Sequence, residues 1–214
     1  MSIAISVDLR SRFGAVRNQG GRPTCIAFAA SDTHSFARGS TDHLSVEYAY
    51  YHAVQRKKPA NPNQGVSMPL IVKAIKDDGQ PLEHVWPYVP TLPTPLSTWV
   101  PPKNSEPVYR HEILVKTGAV STIITALDSG QPVLLAARIT EQFQRPPADY
   151  IIRNLVPDRD SGNHALIAVG HGLAGADAVI LVRNSWGPRW ADGGYAWVMS
   201  DYLSNRLIAV ATPF

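Results

Sequence analysis

The amino-acid sequence predicts an α+β fold, with helices in the first part of the chain and strands in the second. Apolar residues recur at helical spacing between about residues 25 and 78, and from residue 108 onward they form short runs typical of strands. Residues 80–107 lie between these parts and contain eight of the 18 prolines, which disfavour both helices and central strands. We therefore predict a crossover from a helical part to a strand-rich part.

The first helix is predicted over residues 25–38, where apolar and small side chains on most sides indicate burial. Thr24 is its candidate N-cap. Gly39 is expected to end it, because glycine adopts the left-handed conformation of a helix C-terminus without strain. An extended segment over residues 2–7 and a turn over residues 8–14 precede this helix.

Three more helices and several strands are predicted. Ser45 is the candidate N-cap of the second helix, whose aromatic side chains we interpret as core. Ser67 is the candidate N-cap of the third helix, predicted over residues 68–78. Beyond the crossover, residues 121–127 predict a short helix and residues 141–162 a long polar loop. Strands are predicted at residues 109–115, 131–137, 165–169, 178–183, 195–199 and 207–211.

The composition is that of an ordinary globular protein, 44% hydrophobic and 17% charged, with a formal net charge of +3. The longest basic run, residues 56–58, is typical of a solvated helix end, so we expect no nucleic-acid partner. No apolar run has the length to cross a bilayer, so we expect no membrane association. The histidines show no spacing typical of metal ligands, so we expect neither a metal nor another cofactor.

The cellular location is predicted from the first residues and from the cysteine content. Residues 1–14 lack the apolar segment and the small-residue cleavage site of a signal peptide. The single cysteine cannot form an internal disulfide. We expect a cytoplasmic protein, or one exported by a route without an N-terminal signal peptide.

Cys25 lies where a Gly/Pro-rich loop meets the first predicted helix. A helix N-terminus has unpaired backbone N–H groups and partial positive charge, which favour the nucleophilic thiolate. Gln19, six residues upstream, could donate a side-chain N–H that, with the backbone N–H of Cys25, holds an oxyanion. From this stretch alone, a small buried apolar cysteine is an equally good interpretation.

Two residues further along the chain favour the interpretation of Cys25 as a nucleophile. His164 begins a predicted strand and Asn184 follows another. A His and an Asn roughly 130–150 residues after a Cys are expected for one fold of thiol hydrolase. In such chemistry the imidazole takes the thiol proton and later protonates the leaving amine. A neutral amide on the other ring nitrogen fixes its tautomer and orientation.

Three blocks of residues occur in a characteristic order between residues 7 and 199. The third is the most specific, because Asn-Ser-Trp-Gly followed by a second Trp and a Gly-Tyr pair rarely arises by chance. With these blocks the sequence resembles the papain-like (family C1) cysteine peptidases, of a bacterial type without disulfides or prosegment. The blocks are Gln19-Gly20 with Thr24-Cys25 and Ala27-Phe28, Asn163-His164-Ala165 with Val169–Gly172, and Asn184–Gly187 with Trp190 and Gly194-Tyr195.

The resemblance implies one papain-like domain over residues 1–214, built from two lobes with the active-site cleft between them. The mainly helical left lobe would span residues 18–105. Residues 1–17 and 106–214 would form a right lobe resembling an antiparallel β-barrel.

The resemblance also implies roles for individual residues. Cys25 would be the nucleophile and His164 its partner from the facing lobe, with Gln19 in the oxyanion hole and Asn184 orienting the imidazole. Three further residues would contribute to substrate binding or shielding. Gly65 would hydrogen-bond the substrate backbone, Asn163 would line the cleft, and Trp186 would shield Asn184.

The sequence departs from the family pattern at several positions. Arg22 stands where the family has a half-cystine, in agreement with a protein without disulfides. Ile26 replaces the bulky Trp after the nucleophile, so subsite preference does not carry over from the family. The usual pair of glycines is reduced to Gln64-Gly65, and Ala191 replaces a glycine. Since no inhibitory prosegment precedes the first block, we expect a separate inhibitor or regulatory protein, or another external control.

The leading hypothesis is a cysteine peptidase that hydrolyses peptide bonds in peptides or proteins through a thiolate–imidazolium pair and an acyl-enzyme. One alternative uses the same site for acyl transfer to an amine, as a transglutaminase or ligase does. Another is a catalytically silent papain-like binding module, in which the thiol would keep a pKa near ~8.5.

Overall fold

The computed structural model describes residues 2–213, and its elements follow the predicted order of helices first and strands second. The helices are α1 Cys25–Ala37, α2 Val46–Gln55, α3 Met68–Asp77, α4 Val120–Asp128, α5 Glu141–Gln144 and α6 Ser200–Arg206. The strands are β1 Ile3–Asp8, β2 Ile113–Lys116, β3 Val133–Thr140, β4 Ile151–Ile152, β5 Asp160–Ala174, β6 Asp177–Arg183, β7 Tyr195–Met199 and β8 Leu207–Pro213.

The helix N-termini follow the predicted caps only in part. Ser45 caps α2, since its Oγ accepts the backbone N–H of Tyr48 at 3.1 Å. Thr24 occupies the N-cap position of α1, but its side chain makes no capping bond. Its hydroxyl lies instead 3.0 Å from the hydroxyl of Tyr88. Ser67 likewise precedes α3 without a side-chain cap.

Within residues 2–213 the strands form one sheet in the order β2-β8-β3-β5-β6-β7-β4, with β1 also paired to β5. Every pairing is antiparallel except that of β4 with β7. Strand β1 approaches β5 closely because Gly170 and Gly172 lack side chains. A Cβ atom at either position would lie 2.4 Å from a backbone oxygen of β1.

The core lies on both faces of this sheet. Helices α1, α2 and α3 cover one face, where Ile167 and Val169 of β5 are buried. Helices α4, α5 and α6 cover the other, where Leu166 and Ala168 are buried. Because successive side chains of a strand point to opposite faces, the apolar run of β5 serves both cores.

The predicted loop over residues 141–162 is wrong. This segment contains α5, β4 and the first residues of β5. Helix α6 was also not predicted, because its seven residues are mostly polar and the sequence gives no extended helical period there. Strand β5 is longer than the predicted 165–169, since its first residues pair with β3 and residues 170–174 pair with β1 and β6.

A buried ionic network joins α1 to β6. The carboxylate of Asp32 in α1 accepts hydrogen bonds from the guanidinium groups of Arg17, at 2.5 Å, and of Arg183, at 2.8 Å. Arg183 is 1% exposed, and it also donates to the Tyr195 hydroxyl and to the backbone oxygen of Ala15. Burial alone would raise the pKa of Asp32, but the two guanidinium charges overcome it and lower that pKa. The network therefore fixes the helix that begins with Cys25 against the strand that leads to Asn184.

Two further findings concern the described residues. No helix within 2–213 combines the length and apolar character needed to cross a membrane. In the same range, no group of three or more His, Cys, Asp or Glu side chains is placed to hold a metal ion.

Candidate active site

A cleft of about 740 Å³ lies between the N-terminus of α1 and the sheet. Cys25 and His164 both line it, so the chain brings the two distant sequence blocks together. The helical side of the cleft includes Gln19, Ile26, Gly65 and Met68, and the sheet side includes Ala136, Asn163, Ala165, Ile208 and Ala209.

Cys25 is the first residue of α1 and is half-buried. Burial raises the pKa of its thiol. The nearby backbone N–H groups of Ala165, Ile26 and Cys25 itself oppose that rise in pKa. The sulfur therefore lies beside the residue that follows His164 on β5.

His164 is 6% exposed and hydrogen-bonds Asn184, with 2.7 Å between Nε2 and Oδ1. The same Oδ1 also accepts the backbone N–H of Ser185 at 2.8 Å. Because Oδ1 can only accept, Nε2 bears the proton and Nδ1 is the basic nitrogen of the neutral ring. Burial lowers the pKa of His164 to about 4, although the bond to Asn184 raises it.

Aromatic rings surround the bond between His164 and Asn184. The Trp186 ring packs on the imidazole with 4.5 Å between centroids. Phe143 contacts both rings, at 6.1 Å from His164 and 5.8 Å from Trp186. Trp190 packs on Phe143 at 5.1 Å. These rings keep water from the hydrogen bond, so it is stronger than a solvated one.

The side-chain amide of Gln19 is held at both ends. Its Oε1 accepts the hydroxyl of Ser185 at 2.7 Å, and its Nε2 donates to the backbone oxygen of Arg22 at 2.9 Å. These partners fix which end of the amide is nitrogen. Since an amide nitrogen has two hydrogens, one N–H remains for a ligand in the cleft.

The three residues predicted to contribute to substrate binding or shielding all reach the cleft. Gly65, Asn163 and Trp186 all line the cleft, whereas Asn184 lies behind His164 and does not. A Cβ atom on Gly65 would lie 3.6 Å from the nearest atom, the backbone oxygen of Pro23. The site therefore has room for a side chain there, and the glycine is not sterically required.

A sequence model of one protein family, described as "Papain family cysteine protease", matches residues 3–210. The chain belongs to the papain family of cysteine proteases. Ananain from Ananas comosus is 26% identical over 95% of this chain and is covered over 58% of its own length. Cathepsin L2 from Homo sapiens is 25% identical over 98% of this chain, with 64% of its own length covered. The chain thus spans less than two thirds of either relative.

Solved structures of the papain family share the fold. Xylellain, a cysteine protease from Xylella fastidiosa, matches with a TM-score of 0.83 and 21% identity, covering 99% of this chain and 86% of xylellain. The bromelain protease from Ananas comosus, in complex with the E64 inhibitor, matches with a TM-score of 0.71 and 22% identity over 97% of each chain. These likenesses confirm the predicted α+β papain-like fold.

Four residues at this papain-family site were given no role by the sequence. Ser185 was part of the third block, but its bond to Gln19 depends on a meeting of segments far apart in the chain. Phe143 lies in the segment wrongly predicted as loop, where a lone aromatic residue gives no pattern. Arg22 and Tyr88 hold the loop before Cys25 through long-range contacts.

Proposed function

We propose that this chain is a cysteine peptidase that hydrolyses peptide bonds. The supporting observation is the arrangement in one cleft of the Cys25 thiol at a helix N-terminus and a neutral imidazole oriented by Asn184. In this proposal Cys25 is the nucleophile and His164 is the general base and acid. Gln19 supplies an oxyanion donor, and Asn184 orients the imidazole.

The first step follows from the protonation states. Burial disfavours a lone thiolate and a lone imidazolium, since it raises the pKa of Cys25 and lowers that of His164. Moving one proton from the thiol to Nδ1 creates both charges together, so the net charge of the site is unchanged and their attraction offsets the cost of burial. The thiolate then attacks the substrate carbonyl carbon.

The tetrahedral intermediate places negative charge on the former carbonyl oxygen. The free N–H of Gln19 and the backbone N–H of Cys25 are the donors available to it. The imidazolium then protonates the leaving amine, which leaves an acyl-enzyme on Cys25. Water, activated by the neutral imidazole, releases the acid and regenerates the thiol.

Hydrolysis is tested by incubating the protein with a mixed peptide library and measuring the masses of the products by mass spectrometry. We expect cleaved peptides with free carboxyl ends, and stoichiometric loss of activity with E64, the inhibitor named in the bromelain complex. Products that gain the mass of an added amine in place of water would favour acyl transfer instead. A chain that neither cleaves the library nor reacts with E64 would be a silent binding module.

The pH dependence of kcat/KM is expected to be bell-shaped, because the active form holds one proton between the thiol and the imidazole. The acid limb should have its midpoint near pH 4, since burial lowers the pKa of His164 to about 4. The alkaline limb should lie above the ordinary thiol pKa of ~8.5, because burial raises the pKa of Cys25. An acid midpoint near the ordinary imidazole value of ~6.5 would contradict this assignment.

The variant Asn184→Ala tests the same pH profile. The bond to Asn184 raises the pKa of His164, so its loss should move the acid limb to lower pH. The imidazole also loses its fixed orientation, and kcat should fall by about 10²-fold. Asn205→Ala is the control, since Asn205 lies on the exposed side of α6 and its side chain donates to the backbone oxygen of Asp201. That variant should keep the parent profile.

A further inference from the structure

We propose that Tyr88 is a positioning residue for the oxyanion hole and acts through Gln19, with Arg22 holding the same loop from its other side. The inference rests on the proposed peptidase function. It concerns residues 19–24, here called the oxyanion loop, which end directly before the nucleophile Cys25.

The hydroxyl of Tyr88 bonds the two ends of the oxyanion loop. It donates to the backbone oxygen of Gln19 at 2.7 Å. The hydroxyl of Thr24 lies 3.0 Å from the same Tyr88 oxygen. Because the single Tyr88 hydrogen goes to Gln19, Thr24 is the donor in the second bond. One phenol oxygen therefore fixes the backbone at Gln19 and the residue that precedes the nucleophile.

Arg22 fixes the middle of the oxyanion loop. Its guanidinium Nη1 donates to the Glu47 carboxylate at 2.8 Å and to the backbone oxygen of Val89 at 2.6 Å. Glu47 also accepts the indole N–H of Trp99 at 2.5 Å and the backbone N–H of Val89 at 3.1 Å. The carboxylate thus joins the loop to the segment that contains Tyr88.

The Arg22 side chain is buried among a carboxylate and aromatic rings. It is 7% exposed, Glu47 is fully buried, and the guanidinium lies 5.1 Å from the Tyr88 ring centroid and 5.5 Å from that of Tyr50. A buried ion pair contributes little net stability compared with apolar side chains, although removing one partner is costly. What the pair does provide is a defined position for Arg22.

The position of Arg22 is transmitted to Gln19 by one hydrogen bond. The backbone oxygen of Arg22 accepts the Gln19 side-chain N–H at 2.9 Å. The backbone of Gln19 is held by Tyr88, and its side-chain oxygen is held by Ser185. An oxyanion donor stabilises the transition state only when it is already placed within hydrogen-bond distance of the developing charge. Tyr88 and Arg22 supply that placement without touching the substrate-facing N–H.

The test is Tyr88→Phe, which removes the hydroxyl but keeps the ring, including its edge-on contact with Phe28 at 4.7 Å. We expect kcat to fall about tenfold, a fraction of the loss on deleting an oxyanion donor outright. KM should stay within about twofold. The inhibition constant of a peptide aldehyde, whose hemithioacetal with Cys25 places an oxygen at the position of the oxyanion, should rise by the same factor as kcat falls. The rate of Cys25 alkylation by iodoacetamide, which forms no oxyanion, should not change.

The matched control is Tyr202→Phe. The Tyr202 hydroxyl also makes two bonds, to the backbone N–H and the hydroxyl of Thr140, but it is more deeply buried than that of Tyr88 and belongs to the core on the other face of the sheet. Tyr202→Phe should lose at least as much stability as Tyr88→Phe and keep the parent kcat. If both variants lower kcat equally, the effect is general destabilisation and the inference is wrong.

A double-mutant cycle with Gln19→Ala decides whether Tyr88 acts through Gln19. In the Gln19→Ala background, Tyr88→Phe should have no further effect on kcat, and Arg22→Lys, a second route to the same loop, should have none either. Full additivity would overturn the inference while leaving the peptidase function intact. A parent chain with no hydrolysis would instead refute the proposed function and the inference with it.

Discussion

Replacing Cys25 by serine is expected to lower kcat/KM by at least ~10⁴-fold, the scale seen when a nucleophile that acts as a unit with its base is removed. A serine hydroxyl is a much weaker acid than a thiol. The imidazole that must take its proton is a weak base here, because burial lowers the pKa of His164 to about 4. Peptide cleavage followed at pH 7 by product mass, together with E64 labelling, measures the loss.

A histidine outside the cleft provides the control for this experiment. His164→Ala should be as inactive as Cys25→Ser, since the two side chains act as one unit. His171→Asn should keep the parent activity, because His171 bonds Asp128 and does not line the cleft. Hydrolysis by Cys25→Ser at a rate near that of the parent would show that another group is the nucleophile.

The second large effect is expected for Asp32→Asn, which should lower the free energy of unfolding by about 3–5 kcal/mol. The substitution removes the anion shared by Arg17 and Arg183, both nearly buried. Arg17 keeps a weaker partner in Glu83 at 3.4 Å, whereas Arg183 keeps only neutral ones, Tyr195 and Ala15. Urea unfolding followed by circular dichroism measures the change.

The difference in stability between the parent and Asp32→Asn should depend on pH, and its sign follows from the pKa of Asp32. The pKa of Asp32 is lowered in the folded state, so its contribution to stability is complete above the unfolded value of ~3.9 and is lost as the pH falls through the folded value. The difference between the parent and Asp32→Asn should therefore shrink in acid. Asp77→Asn is the control, since Asp77 is 37% exposed and pairs with Arg56 and Lys73 at the surface. It should cost far less stability than Asp32→Asn, because exposed ion pairs contribute little, and an equal cost would contradict the role of burial.

Local sequence signals were sufficient to predict those helices and strands whose positions and boundaries depend on residues close by in the chain. The helix beginning at Cys25, the Ser45 cap and the strand before Asn184 all follow from periodicity and capping residues. The order of Cys25, His164 and Asn184, with the aromatic block after Asn184, was also sufficient to predict the family.

Long-range contacts account for what the sequence did not predict. Thr24 is of a residue type that often caps helices, but its side chain hydrogen-bonds the hydroxyl of Tyr88, 64 positions away in the chain. Arg22 is an ordinary surface residue by type, and only Glu47 and the surrounding rings make it a buried one. The two-residue strand β4 exists because β7 pairs with it, which no local pattern can indicate.

Cys25 is the only sulfhydryl among the 214 residues, and it lines the cleft. A fluorophore or spin label with a thiol-reactive group would therefore attach at one known point, without any engineered substitution. Its emission or its mobility would then report directly on what enters the groove beside it.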